Sequence, residues 1–148
     1  MQRRDPIYKK VSDYSEQDNK SNDYINNSTP NISKNTVVSI TSQQELFNYI
    51  QNYRIVLVDV WAKWCGPCKH FTPKFEELAN NCSDVKEMIF LKDDIDNENS
   101  PHSTLVSAVP TFFLYTDHNT LAKKIFVGDY DKFENLVLNI HERLKSQK

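Results

Sequence analysis

Two cysteines spaced as Cys65-Gly66-Pro67-Cys68 sit where an apolar run gives way to an amphipathic one, and that junction constrains the fold more than any other stretch of the chain. Upstream, Ile55-Val56-Leu57-Val58-Asp59-Val60-Trp61 is a short β-branched apolar run without alternation, the pattern of a strand covered on both faces. Downstream, Phe71, Phe75, Leu78, Ala79 and Cys82 recur at helical spacing, with Lys69, His70, Lys74, Glu76, Glu77 and Asn80 between them, which predicts a helix over about 66–81. The cysteine pair therefore lies at a strand-to-helix turn. Free N–H groups and the positive dipole end at a helix start stabilise an anion, so Cys65 is expected to carry a lowered thiol pKa. Pro67 suits that first turn, where the N–H it lacks would have no partner anyway.

A C-x-x-C pair is either half of a zinc site or a dithiol that cycles. Zinc needs four ligands, and beyond the pair the chain offers only Cys82 and four scattered histidines, His70, His102, His118 and His141, at no ligand spacing. The dithiol is the expectation, with no metal and no cofactor. Cys82 falls on the apolar stripe of the helix and reads as a buried, inert thiol. Asp59 lies inside an apolar run, where ionisation is unfavourable; its pKa should rise, making it a plausible base toward Cys68.

The remaining elements follow in order. Residues 1 to about 35 are rich in Asn, Ser, Asp and Lys with isolated apolar residues, the composition of a disordered tail. Thr36–Ile40 reads as a strand, and Ser42 with Glu45 has the form of a capping box ahead of a helical face of Leu46, Phe47, Ile50 and Tyr53. Met88–Leu91 opens a strand that runs into Lys92-Asp93-Asp94-Ile95-Asp96. A short helix is expected near 98–107, since Asn99 or Ser100 can cap it and Pro101 suits its first position. Thr111–Tyr115 and Leu121–Val127 form a hairpin around Asp117-His118-Asn119, with Asn119 expected to take the positive φ. A final helix is boxed by Asp131 and Glu134, with Phe133, Leu136, Val137, Ile140 and Leu144 as its stripe.

With these residues in place, the chain resembles the thioredoxin family over about residues 36 to 148. Val58-Asp59-Val60-Trp61-Ala62-Lys63-Trp64-Cys65-Gly66-Pro67-Cys68-Lys69 is similar nearly residue for residue to that family's active-site segment. Pro73, Lys92 in Lys-x-x-Ile-Asp, Val109-Pro110-Thr111 and Gly128 match further positions in order. The resemblance implies an α/β thioredoxin fold: a three-layer α/β/α sandwich with a central five-stranded mixed sheet in the order 1-3-2-4-5. It implies a protein-disulfide reductase in which Cys65 is the nucleophile, Cys68 the resolving thiol, Asp59 the buried acid/base and Lys92 the residue that tunes it. Trp64, Gly66, Pro67, Val109, a cis Pro110 and Gly128 would meet the substrate. The implied partners are protein disulfides and a thioredoxin reductase or other dithiol donor.

Three departures from the family pattern stand out: Asp93 replaces an apolar strand residue, the hairpin turn lacks glycine, and Asp129 puts a charge beside Gly128. A thioredoxin-fold binding or structural subunit with an incidental dithiol, or a disulfide isomerase or oxidase, are the alternative readings. Eighteen basic against twenty acidic side chains give no reason to expect nucleic acid or an anionic membrane as partner. No apolar run approaches the roughly 18 residues of a membrane span. The basic start Met1–Asp5 is followed by no apolar segment of a secretory signal, so a monomer in the reducing cytoplasm is expected.

Overall fold

The computed structural model describes residues 36–147, so the expected disordered tail at 1–35 lies outside the described residues. The order is β1 (Val37–Ile40), α1 (Gln43–Asn52), β2 (Ile55–Trp61), α2 (Gly66–Asn81), β3 (Met88–Asp94), β4 (Thr111–Thr116), β5 (Lys124–Val127) and α3 (Tyr130–Ser146). The five strands form one mixed sheet in the order β1-β3-β2-β4-β5. β2 is central, parallel to β3 with Asp59 beside Lys92, and antiparallel to β4 with Asp59 beside Phe112. This is the expected thioredoxin fold, a three-layer sandwich.

Alternation along β2 sorts the core between two faces. Leu57 joins Phe75 and Leu78 of α2, Phe90, Phe112, and Phe133 and Val137 of α3 in one buried cluster. Phe133 anchors it, with ring centroids 4.9 Å from Phe112 and 6.1 Å from Phe75. Val56, Val58 and Val60 point the other way, packing with Leu46 and Ile50 of α1 and with Leu91, Phe113 and Tyr115. Among the described residues, no helix is long and apolar enough to cross a membrane.

Several local expectations are corrected. Residues 98–107 form successive turns rather than a helix: Ser100 N–H donates to Asn97 O, Ser103 N–H to Ser100 O and Leu105 N–H to His102 O. Each of these bonds reaches back three residues, the spacing of isolated turns, and the segment is tied to the sheet at His102, whose N–H donates to the buried carboxylate of Asp93 at 3.0 Å. In the hairpin turn the positive φ falls on Asp117 and His118, not Asn119. Side-chain bonds hold both there, Asp117 to Arg54 at 3.2 Å and His118 Nδ1 with Ile50 O at 2.9 Å. β5 starts at Lys124 rather than Leu121, because Leu121 N–H is turned back to Asn119 Oδ1.

The helix starts show the same local control. Ser42 caps α1 by accepting from Glu45 N–H at 3.2 Å, while the Glu45 carboxylate accepts from Thr41 N–H, one residue earlier than a capping box requires. α3 begins before the expected Asp131: Asp129 is its cap, and Tyr130 is already helical, buried, and hydrogen-bonded through its hydroxyl to Lys74 O.

Truncating the central ring, Phe133→Ala, should lower stability by about 3–5 kcal/mol. Chemical denaturation checks this as a fall in midpoint at unchanged m-value, and a loss below about 1 kcal/mol would contradict the packing described.

Candidate active site

Because β2 ends at Trp61 and α2 starts at Gly66, the intervening turn delivers the cysteine pair to the rim of the sheet. Cys65 is the N-cap of α2 in extended conformation, and its sulfur accepts the Cys68 N–H at 3.1 Å. Cys65 and Cys68 are joined by a disulfide, with Cα atoms 5.3 Å apart. Both are buried against Ala62, with Trp61, Ile95 and Val109 around them. A sulfur here faces the unpaired N–H groups of a helix start, the environment that favours thiolate over thiol. Gly66, Pro67 and Trp64 are exposed, Trp64 to 67%, and its indole N–H donates to Asp96 Oδ2 at 3.0 Å.

The turn that closes the other side carries Val109-Pro110, whose peptide bond is cis. Val109 O lies 3.6 Å from Cys65 Sγ. Trp64, Ile95, Asp96, Ser103, Val106 and Val109 line a groove of about 270 Å³ beside the cysteines. Gly128 is exposed at φ +68°, where a side chain would be strained, and its N–H donates to Pro110 O at 3.0 Å. The fold thus gathers Trp64, Cys65, Gly66, Pro67, Cys68, Val109, Pro110 and Gly128 at one end of the sheet.

Asp59 is 1% exposed, and neither of its carboxylate oxygens has a hydrogen-bond partner. Burial pushes its pKa up from 3.8 to about 7; the nearby Lys92 charge opposes the rise and that of Glu76 adds to it. Lys92 does not engage Asp59 as an ion pair. Its ammonium lies 3.8 Å from Glu76 Oε2 and 4.9 Å over the Trp61 ring. Glu76 was visible in the sequence only as one polar residue of α2; its position three residues after Pro73 carried no signal of a link to β3. Asp96, which fixes the Trp64 indole, was likewise present only as the last letter of Lys-x-x-Ile-Asp. Cys82 ends α2 inside the core, its thiol pushed up to about 12 by burial and by Asp84. It is not nucleophilic at neutral pH.

The chain is similar to known proteins in sequence and in fold. Residues 37–142 match the family model described as Thioredoxin. The chain is similar to thioredoxin from Chlamydia pneumoniae, 34% identical over 102 residues that span 68% of this chain and 96% of the relative. It is also similar to thioredoxin-3 from Dictyostelium discoideum, 39% identical over 82 residues, 55% of this chain and 75% of the relative. Among solved structures, Plasmodium falciparum thioredoxin aligns with a TM-score of 0.60 at 27% identity, covering 69% of this chain and 97% of its own.

The buried Asp59 makes stability depend on pH. The folded protein holds its proton up to about pH 7, whereas the unfolded chain releases it near 3.8, so stability falls as pH rises through that window. Asp59→Asn should therefore stabilise the protein at pH 8 by a few kcal/mol, on the order of 1.4 kcal/mol for each unit of difference, and the gain should vanish near pH 4. Denaturant unfolding at the two pH values checks it; equal stability of variant and wild type at pH 8 would contradict the burial cost.

Proposed function

The chain belongs to the thioredoxin family and is a thiol-disulfide oxidoreductase, and from that premise we propose how its residues divide the reduction of a protein disulfide. The Cys65 thiolate attacks one sulfur of the substrate disulfide. That bond breaks, a mixed disulfide to Cys65 forms, and the departing substrate sulfur takes up a proton. Cys68 then loses its proton, attacks Cys65 Sγ and releases the second substrate thiol, leaving the Cys65–Cys68 disulfide. Two electrons have moved from the cysteine pair to the substrate. The observation that carries this reading is the Cys68 N–H directed at Cys65 Sγ from the first turn of α2. It supports Cys65 as the attacking sulfur because that bond strengthens when the sulfur is an anion.

Asp59 is the base for Cys68 in the second step. A carboxyl poised near pH 7 inside the fold is matched to accepting a thiol proton under physiological conditions. Lys92 tunes it from the adjacent strand through its charge, and shares that charge with Glu76. Val109 offers its backbone to an extended substrate segment next to Cys65, in the manner of an added strand, while Trp64, Gly66, Pro67, Pro110 and Gly128 complete the contact surface.

The oxidised pair must be recharged by a dithiol donor, a thioredoxin reductase or an equivalent dithiol protein, and the reducing cytoplasm is the setting in which that cycle runs. Every residue assigned a role comes from one chain, so a monomer suffices.

Cys65→Ser should abolish insulin reduction in the presence of a dithiol donor. Cys68→Ser should accumulate a mixed disulfide on Cys65, seen by mass spectrometry as a substrate adduct released by reductant. Turnover persisting in Cys65→Ser, or adducts forming on Cys68 instead, would contradict the assignment.

A further inference from the structure

On the face of the sheet opposite Asp59 lies a second buried acid that the exchange chemistry does not use. Asp93 is fully buried in β3, and its Oδ2 accepts both the backbone N–H of His102 at 3.0 Å and the His102 ring at Nδ1, 2.7 Å away. His102 is itself fully buried, and its other ring nitrogen, Nε2, lies 2.7 Å from the Tyr115 hydroxyl on β4. Burial and the Asp93 charge hold the Tyr115 phenol well above its ordinary value, so the hydroxyl keeps its proton beside Nε2. Phe113 closes the chain from one side, its ring 4.4 Å from that of His102.

These hydrogen bonds tie residues 98–107 to the sheet. With only turns there, His102 is the point at which the segment is clasped, by three hydrogen bonds to side chains of β3 and β4. The same segment then supplies Val106 and Val109, which pack on the cluster containing Phe113 and Tyr115 and form one wall of the groove beside Cys65. The clasp is not an optimised stabiliser. Asp93 Oδ1 and the buried Ser100 Oγ are left without hydrogen-bond partners, and in an apolar trio at the same three positions the only group to lose its partner would be the His102 backbone N–H. What an apolar trio lacks is direction, since three short bonds fix one placement of the turn.

We propose that Asp93, His102 and Tyr115 are positioning residues for protein substrates: together they seat residues 95–110 so that Val106, Val109 and Trp64 present a preformed groove beside Cys65. The proposal rests on the assignment of Cys65 and Val109 given above. It separates docking from chemistry, because a protein disulfide must lie along the groove whereas a small aryl disulfide needs only the sulfur.

The test compares wild type with Tyr115→Phe and with the apolar triple variant Asp93→Val, His102→Leu, Tyr115→Phe, each first shown to be folded by circular dichroism. KM for insulin should rise about two- to fivefold in Tyr115→Phe and about tenfold in the triple variant, with kcat within about twofold of wild type. Reduction of a small aryl disulfide should be unchanged. Should the triple variant fail to fold, Tyr115→Phe, which keeps its ring, carries the comparison alone. Folded variants with the wild-type KM for insulin, or a fall in kcat shared with the small disulfide, overturn the proposal. Wild-type protein that reduced neither disulfide would instead overturn the functional reading beneath it.

Discussion

The site depends on one contact: the backbone N–H of Cys68, at the open start of α2, pointing at the sulfur of Cys65. A helix start has donors without partners, and here the nearest acceptor is the sulfur that caps the helix. Everything larger in the fold serves to keep that geometry. β2, buried between two layers, fixes where the turn emerges; α2 is pinned through Phe75 and Leu78 to the shared core; and the Val109-Pro110 turn closes from the far side. Exposed Trp64 and buried Cys65 are neighbours in the chain, which sets the groove that Trp64 helps to form beside the reacting sulfur.

The sheet carries two buried carboxylates on adjacent strands with opposite solutions to the same problem. Asp59, facing α2 and α3, has no hydrogen bond on either oxygen, and burial drives its pKa toward neutrality, a state suited to moving a proton. Asp93, facing α1, has donors supplied to Oδ2 from two atoms of His102, an arrangement suited to holding geometry. The register places the two side by side, Asp59 opposite Lys92 and Val60 opposite Asp93, so a single step along β3 separates a tuned acid from a structural one. Period-two alternation is what keeps them on different faces.

The parts of the fold legible in the sequence were those set by local pattern. The run Ile55–Trp61, the spacing Phe71, Phe75, Leu78 and the stripe of α3 specify burial by themselves, and the strand-helix junction at Cys65 follows from their adjacency. Asp93 was legible as an anomaly but not as a contact, because its partners His102 and Tyr115 lie in a different turn and a different strand. The same contact ties down the segment 98–107, where cap and Pro101 were locally favourable for a helix but the chain forms successive turns held to β3 through His102. The pairing of Lys92 with Glu76, and the turn strain on Asp117 and His118 rather than Asn119, were hidden for the same reason: both are decided by atoms that only the folded sheet brings together.

The central claim is that the start of α2 holds Cys65 as an anion near neutral pH. It is tested most directly by following thiolate ultraviolet absorbance of the reduced protein as a function of pH, with Cys65→Ser as the reference that removes the signal in question. The account predicts a first ionisation about one unit or more below the free-cysteine value of about 8.5, absent in Cys65→Ser. Both site thiols ionising together at the free-cysteine value would contradict it.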